Sequence, residues 1–271
     1  MQQLFDMDDG IQVHARVEGA GDTILLVHGL GGAALDYQDH ITWLGDLGTV
    51  VAVDLRGHGE SDHPRDAGAY SVTRFASDLQ AIVEHIGRPL RCVIAHSMGG
   101  MVVQRAVARG LLEPSSLVLF STCPGSLPGL STEIAAAGAE MLEHEGIEPF
   151  RRMMDQLNPF GSPASREYRD RHPEYVAIQD WRWAHTSPAM YAALLRELAG
   201  LTDITAELRT VRCAAAVLVG DEDAPFLEPT ARIAEALPNA SCEFIAGAGH
   251  HPQLHQPERW ASAVRALIAA N

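Results

Sequence analysis

The sequence of 271 residues contains no lysine, so all 20 of its basic residues are arginines. They are outnumbered by 35 acidic residues, and the formal net charge is −15 at pH 7. The arginines form no basic cluster along the chain. An acidic chain without such a cluster is a poor match for nucleic-acid phosphates or for an anionic membrane surface. We therefore expect neither a nucleic acid nor a membrane as a partner.

Long apolar runs are also absent, as is a basic-then-apolar signal stretch at the start of the chain. Cysteine is scarce, and Cys92, Cys123, Cys213 and Cys242 stand singly in or beside apolar runs. This spacing is typical of small buried side chains in a reducing compartment, and it matches neither a disulfide framework nor a zinc site. Together these absences predict a cytoplasmic protein.

Hydrophobic residues make up 46% of the chain, which is enough for one large domain or for a domain with an insertion. Residues 2–6 and 11–17 alternate apolar and polar side chains, and they predict an antiparallel hairpin. After them, short apolar runs alternate with helical patterns, which predicts a parallel sheet covered on both faces. These runs are residues 23–27, 50–54, 92–96, 116–120, 214–219 and 242–245.

The alternation of strands and helices stops between residues 124 and 208, where the pattern is helical and rich in aromatic residues. A gap of roughly 85 residues is too long for one crossover loop. We therefore expect a core domain made of residues 1–123 and 209–271, with a helical domain of residues 124–208 inserted into it. The inserted aromatic side chains either line the pocket of a largely apolar substrate or form the insertion's own core.

The most specific motif surrounds Ser97, which follows an apolar run and precedes a helical pattern starting at Met98. Small residues stand two positions before the serine, at Ala95, and two positions after it, at Gly99. This is the nucleophile-elbow pattern G-x-S-x-G with alanine in place of the first glycine. Its tight turn lets the serine hydroxyl stand clear of the sheet. The competing interpretation is that Ser97 only caps the helix.

Three residues with complementary chemistry follow predicted strands, namely Ser97, Asp223 and His250. The carboxyl ends of parallel strands are where sites form in an open sheet, and the order Ser…Asp…His fits a nucleophile elbow. Ser97 is the expected nucleophile, His250 its base and Asp223 the residue that orients the imidazole. Asp221 and Glu222 compete for the role of the acid, and His251 competes for that of the base.

Other motifs point to different classes of protein. Gly29-x-Gly31-x-x-Ala34 after a strand matches a dinucleotide fingerprint, with Asp54 as the ribose ligand, but this leaves Ser97 unexplained. The histidines within residues 58–63 and 250–255 lack a convincing set of further metal ligands. We therefore expect no metal and no cofactor. Residues 54–58 are predicted to build a turn in which an Asp–Arg pair ties down the loop.

The chain resembles the α/β-hydrolases, in the serine-nucleophile branch of esterases, enol-lactonases, cofactor-free haloperoxidases and carbon–carbon bond hydrolases. The matching segments are His28-Gly29, residues 54–61, residues 96–100, Gly220-x-x-Asp223 and residues 248–250. The resemblance implies a mostly parallel eight-stranded sheet with helices on both faces and a helical cap inserted after strand 6. The chain departs from the pattern at Ala95, at the doubled His251, and at His255, where many relatives have an acid.

The resemblance also implies an oxyanion hole formed by the backbone N–H groups of Leu30 and Met98. We expect substrate contacts from Gly29, His96, Trp181 and Trp183, with packing beneath the loops as the alternative for His96.

The implied reaction is hydrolysis of a carboxylic ester or lactone of a largely apolar small molecule through an acyl-enzyme. Alternatives are carbon–carbon bond hydrolysis of meta-cleavage-type diketones, perhydrolysis of the haloperoxidase kind, and a ligand receptor on the same fold.

Overall fold

An eight-stranded sheet is the central element of the computed structural model, which describes residues 1–270. The strands are β1 (Gln2–Asp6), β2 (Gln12–Glu18), β3 (Thr23–Val27), β4 (Thr49–Val53), β5 (Leu90–His96), β6 (Ser116–Phe120), β7 (Ala214–Gly220) and β8 (Ala240–Ile245). Their order across the sheet is β1-β2-β4-β3-β5-β6-β7-β8. The pairs β1–β2 and β2–β4 are antiparallel, and the remaining pairs are parallel. The predicted mostly parallel sheet is thereby confirmed.

Helices cover both faces of this sheet. Residues 1–270 contain twelve α-helices: α1 (Gln38–Gly45), α2 (Val72–Ile86), α3 (Ser97–Ala108), α4 (Thr132–Glu145), α5 (Ile147–Leu157), α6 (Pro163–Arg171), α7 (Glu174–Ala184), α8 (Pro188–Ala199), α9 (Thr205–Leu208), α10 (Ala224–Ala236), α11 (Pro252–His255) and α12 (Pro257–Ala269). The sequence pattern did not predict α11, because a single turn is too short to show a helical period. Every helix in this part of the chain falls short of what crossing a membrane requires.

The continuous apolar runs are explained by two cores, one on each face of the sheet. Successive side chains of a strand point to opposite faces, so Leu25 and Val27 enter one core while Ile24 and Leu26 enter the other. Helices α2, α3 and α10 close the first core, and α1 and α12 close the second. A strand that is buried on both faces has no position for an alternating polar residue.

The helices α4 to α8 are inserted between β6 and β7, in the place where the strand pattern stops. They are attached to the core at the turn after β4. The Gly59 N–H donates to the His185 carbonyl and the Ser187 N–H donates to the Gly57 carbonyl, each at 2.8 Å. A side chain at Gly57 would collide with Met190 of α8, because a Cβ there would lie 2.7 Å from the Cβ of Met190. The predicted fold class, with helices inserted after the sixth strand, is confirmed.

A fully buried arginine, Arg56, fixes this turn, but with partners that differ from the expected one. Its guanidinium donates to both carboxylate oxygens of Asp78, at 2.6 and 2.8 Å, and to Asp9 at 2.8 Å. The predicted partner of Arg56 was Asp54, within the same turn. This prediction was wrong, because the observed partners are Asp78 and Asp9. Asp54 instead accepts from His14 Nδ1 at 2.7 Å and from the Ala34 N–H at 2.6 Å. Both acids that hold Arg56 lie far away in sequence.

Replacing Asp78 with alanine should lower the free energy of unfolding by about 3–5 kcal/mol, because the buried guanidinium of Arg56 loses its bidentate partner. Urea unfolding at pH 7 measures the change. The matched control is Glu143→Ala, which removes an ion pair with Arg196 at the surface. The control should cost far less, since water screens exposed pairs. Equal losses in the two variants would contradict a structural role for the Arg56–Asp78 pair.

Candidate active site

Ser97 occupies a strained turn between β5 and α3, with a backbone φ of +50°. Side chains rarely adopt this left-handed conformation, and it persists only where the surroundings enforce it. The glycines after Ser97 explain how it is enforced. A Cβ at Gly99 would overlap the carbonyl oxygen of His28, and a Cβ at Gly100 would lie 2.6 Å from Thr122 Oγ1. The start of α3 therefore packs closely against the segments that follow β3 and β6, the two strands beside β5 in the sheet.

The structure brings Ser97, His250 and Asp223 into one hydrogen-bonded row. Ser97 Oγ donates to His250 Nε2 at 3.1 Å, and His250 Nδ1 donates to Asp223 Oδ2 at 2.9 Å. The three residues are 8%, 4% and 3% exposed. Ser97 follows β5, Asp223 precedes α10, and His250 lies in the loop after β8. The strand-end pattern selected these three side chains, and their catalytic roles remain predictions.

The residues that competed for these roles have other partners. Asp221 Oδ1 accepts from the Gly247 N–H at 2.8 Å, and Glu222 Oε2 accepts from the Ala164 N–H at 2.7 Å. His251 Nδ1 lies 3.4 Å from the Gln253 side-chain amide. Its ring centroid is 5.5 Å from that of His250. The geometry therefore favours Asp223 as the acid and His250 as the base.

The loop after β3 lies directly against Ser97. A Cβ on Gly29 would lie 3.0 Å from the Ser97 Cβ, so a side chain there would press against the serine. The Leu30 N–H follows in this loop. The Met98 N–H lies in the first turn of α3, where backbone N–H groups have no partner within the helix. Leu30 and Met98 thus flank the serine, and their role as an oxyanion hole remains a prediction.

Side chains from the turn after β4 fix the shape of this loop. The Gly31 N–H donates to His58 Nε2 at 3.2 Å, and the Ala34 N–H donates to Asp54 Oδ1 at 2.6 Å. Both oxygens of Asp54 already accept hydrogen bonds within the protein, and the residue is only 2% exposed, so a ribose has no access to it. The geometry therefore offers no support for the dinucleotide interpretation. The part of the chain that the structure describes contains no group of three or more potential metal ligands.

Neutral histidines surround the hydrogen-bonded row of Ser97, His250 and Asp223. Burial lowers the pKa of His58, His96 and His251 well below the usual value, and it lowers that of His255 to about 4. His96 Nε2 donates to the His250 carbonyl at 2.8 Å, so it holds the backbone of the expected base. At neutral pH these imidazoles add hydrogen bonds to the site without adding positive charge.

The predicted substrate contacts fall into two groups. Gly29 and His96 lie beside Ser97, and His96 is only 3% exposed, which fits packing beneath the loops. Trp181 stacks on His185 with ring centroids 4.2 Å apart, and it lines a cavity of about 180 Å³ with His14 and Leu35. Trp183 packs against Phe150 and Tyr191 of the inserted helices. The substrate roles of all four residues remain predictions.

Three contacts around the site had not been predicted from the sequence. Thr122 Oγ1 donates to the Ser97 carbonyl at 2.7 Å. The ring of Phe160 stacks on His250 with centroids 4.4 Å apart, and Arg182 Nη1 donates to Asp36 Oδ1 at 2.7 Å. Thr122 follows β6, so the strand-end rule contains a signal for it. Phe160 and Arg182 lie among the inserted helices, where no pattern in the sequence points to the site.

Comparison with known proteins identifies a family that matches most of the chain. Residues 24–263 match the model of the alpha/beta hydrolase family. A stretch covering 39% of this chain is 36% identical, over 115 residues, to the dihydrolipoyllysine-residue acetyltransferase component of the acetoin cleaving system of Cupriavidus necator. The match covers 30% of that relative, so the chain spans under a third of its length.

Solved structures are similar over the whole chain. A thermophilic esterase from Thermogutta terrifontis is 26% identical, with a TM-score of 0.86 over 100% of this chain and 98% of the esterase. The enol-lactonase from Burkholderia xenovorans LB400 is 21% identical, with a TM-score of 0.84 over 98% of this chain and 100% of the lactonase. At 21% identity, the similarity to the enol-lactonase shows a shared fold and no more.

The buried histidines predict that stability falls when the pH is lowered from 7 to 5. Unfolding returns the pKa of His96 and His251 to about 6.5, so below that pH the unfolded chain binds protons that the folded chain excludes. Each such histidine contributes at most about 1.4 kcal/mol per pH unit. Asp78 and Glu197, whose pKa values are raised by burial, oppose this trend.

Urea unfolding at pH 5, 6 and 7 measures this dependence. His251→Asn should flatten it, whereas the exposed control His144→Gln should not. A free energy of unfolding that stays constant over this range would contradict the prediction.

Proposed function

The chain belongs to the alpha/beta hydrolase family, and we propose that it is a serine hydrolase that cleaves a carboxylic ester or lactone through an acyl-enzyme. One observation carries the proposal, namely the row of hydrogen bonds from Ser97 through His250 to Asp223, which starts at a serine held at φ +50°. In this proposal residues 1–123 and 209–271 form the catalytic core, and residues 124–208 form a cap over Ser97.

The first half of the reaction forms the acyl-enzyme. Ser97 Oγ attacks the carbonyl carbon while its proton passes to His250 Nε2, and the carbonyl oxygen becomes an oxyanion. The carboxylate of Asp223 stabilises the imidazolium and keeps Nε2 directed at the serine. Collapse of the tetrahedral intermediate breaks the bond to the leaving oxygen, which takes the proton from His250. For a lactone, the leaving alcohol stays attached to the acyl group.

The second half reverses these roles with water as the nucleophile. His250 accepts a proton from the water, whose oxygen attacks the acyl carbon, and the proton is returned to Ser97 Oγ as the acid leaves. The N–H groups of Leu30 and Met98 are the proposed donors to the oxyanion in both halves. This sequence of proton transfers balances without a cofactor or a metal.

The choice of an ester or lactone is supported by two observations. The whole-chain likeness to the thermophilic esterase reaches 26% identity. The inserted helices bring apolar and aromatic side chains over the core, among them Phe150, Trp183 and Tyr191. Apolar surroundings of this kind suit a largely apolar small molecule, whose burial removes hydrocarbon from water.

Labelling with a fluorophosphonate probe tests for an activated serine. The probe should form a single adduct on Ser97 in the wild type, because the row of hydrogen bonds raises the nucleophilicity of Oγ. Ser97→Ala should remove the adduct and lower kcat by at least about 10³-fold, while the circular dichroism spectrum stays unchanged. Intact mass and peptide mapping read out the adduct. A folded wild type that remains unlabelled would refute the proposal.

A panel of substrates tests the class of bond. p-Nitrophenyl acetate, p-nitrophenyl octanoate, a simple lactone and a vinylogous diketone are compared by kcat/KM. The proposal expects the esters or the lactone to lead. Preference for the diketone by more than tenfold would instead assign carbon–carbon bond hydrolysis to the same residues.

The two adjacent histidines provide a direct test of the base. His250→Ala should reduce kcat nearly as much as Ser97→Ala, because His250 is the partner in hydrogen-bond reach that can accept the proton of Ser97. His251→Ala should reduce it far less, since His251 does not contact the serine hydroxyl. Steady-state kinetics at pH 7.5 on the best substrate gives both values. Equal losses would overturn the assignment of His250 as the base.

A further inference from the structure

Phe160 covers one face of the His250 imidazole. It lies in the turn between α5 and α6, and its ring is nearly parallel to that of His250, with an interplanar angle of 14° and centroids 4.4 Å apart. Phe226 approaches the same imidazole at 4.7 Å, and His96 approaches it at 4.9 Å. Phe160 is unusual among these neighbours, because it comes from the inserted helices and is 36% exposed.

The segment that carries Phe160, residues 158–164, is here called the strap. Asn158 begins it with a φ of +42°, and the Gly161 N–H closes the turn by donating to the Asn158 carbonyl at 2.9 Å. Asparagine is among the side-chain residues that adopt this conformation most readily, and here it ends α5. The ring of Phe160 is thereby directed from the inserted helices onto the core.

The strap contacts both loops that carry the proposed acid and base. The Ala164 N–H donates to Glu222 Oε2 at 2.7 Å, one residue before Asp223. Ser162 is buried against Gly249, where a Cβ would overlap the serine hydroxyl, one residue before His250. Three contacts of the strap therefore involve the proposed base and the residues next to the base and the acid. They are made to His250, to Gly249 and to Glu222.

The hydrogen bonds of His250 are made at the edge of its ring and leave both faces of the ring to other contacts. Nδ1 bonds to Asp223 and Nε2 bonds to Ser97. The ring turns about the Cβ–Cγ bond, where the torsion of histidine has a broad energy minimum. A modest turn bends both hydrogen bonds, and a flat ring stacked on one face opposes the same turn directly.

We propose that Phe160 is a positioning residue, which holds the plane of the His250 imidazole so that Nε2 can exchange its proton with both Ser97 and the leaving oxygen. The inference rests on the proposed function. It assigns to the strap a contribution to the rate of the chemical steps and no contribution to the binding of small esters. A ring is required in this role, because an aliphatic side chain gives no parallel surface to stack on the imidazole.

The test compares three substitutions at Phe160 using p-nitrophenyl acetate. Phe160→Ala should lower kcat by about three- to tenfold, which is the effect expected from the loss of one aromatic contact. KM should stay within about twofold, since misorientation of a base acts on the rate of reaction. Phe160→Tyr should restore kcat, because it keeps the flat ring, and Phe160→Leu should not. Leu157→Ala is the matched control, since Leu157 lies beside the strap and is 66% exposed.

The rate of fluorophosphonate labelling gives a second readout and separates two kinds of failure. It should fall in Phe160→Ala and Phe160→Leu by the same factor as kcat, with melting temperatures close to that of the wild type. An unlabelled wild type would overturn the proposed function and the inference together. A labelled wild type with Phe160→Leu as fast as Phe160→Tyr would overturn the inference alone. An equal loss of kcat in Leu157→Ala would also overturn the inference. A rise in kcat in Phe160→Ala would do the same, because it would mean that Phe160 hinders the access of the substrate to His250.

Discussion

The left-handed backbone of Ser97 is the constraint on which the rest of the site depends. A residue in this conformation carries about 1–3 kcal/mol of strain, which the surrounding structure has to offset. Gly99 permits the contact with the loop after β3, and Gly100 permits the contact with Thr122. Thr122 Oγ1 then holds the Ser97 carbonyl. The backbone of Ser97 is thus held between the loop after β3 and Thr122, independently of the hydrogen bond from its hydroxyl to His250.

A second consequence is that the inserted helices and the loop beside Ser97 share one turn. His58 accepts from the Gly31 N–H, and its neighbours Gly57 and Gly59 bond to the segment before α8. Arg56 anchors the same turn to α2 through Asp78. The turn after β4 therefore connects the inserted helices to the loop beside Ser97. The strap makes a separate connection on the opposite side, to His250 and Glu222.

The parts that the sequence predicts well are those with a local cause. Apolar runs mark strands buried on both faces, and small residues around Ser97 mark a tight turn. The order of the strands along the chain and the row of three residues therefore follow from short stretches.

The partners of Arg56 could not be predicted, because Asp78 and Asp9 lie 22 and 47 residues away and nothing local selects them. The same holds for Phe160, whose contact with His250 depends on how the insertion folds back. Asp223 was separable from Glu222 only by its spacing from Gly220, and the structure gives Glu222 a different partner.

The neutral histidines around the site suit the proposed reaction, in which the imidazole of His250 gains a proton. A second imidazolium nearby would repel it, and the low dielectric of the interior would strengthen that repulsion. Burial instead keeps His96 and His251 neutral, and the charges on His28 and His58 are suppressed in the same way. A neutral His96 still donates to the His250 carbonyl, so it supports the base without opposing its protonation. In the proposed reaction Asp223 is the acid in direct contact with the imidazolium, and Phe226 and Phe160 pack on the ring of His250 beside that hydrogen bond.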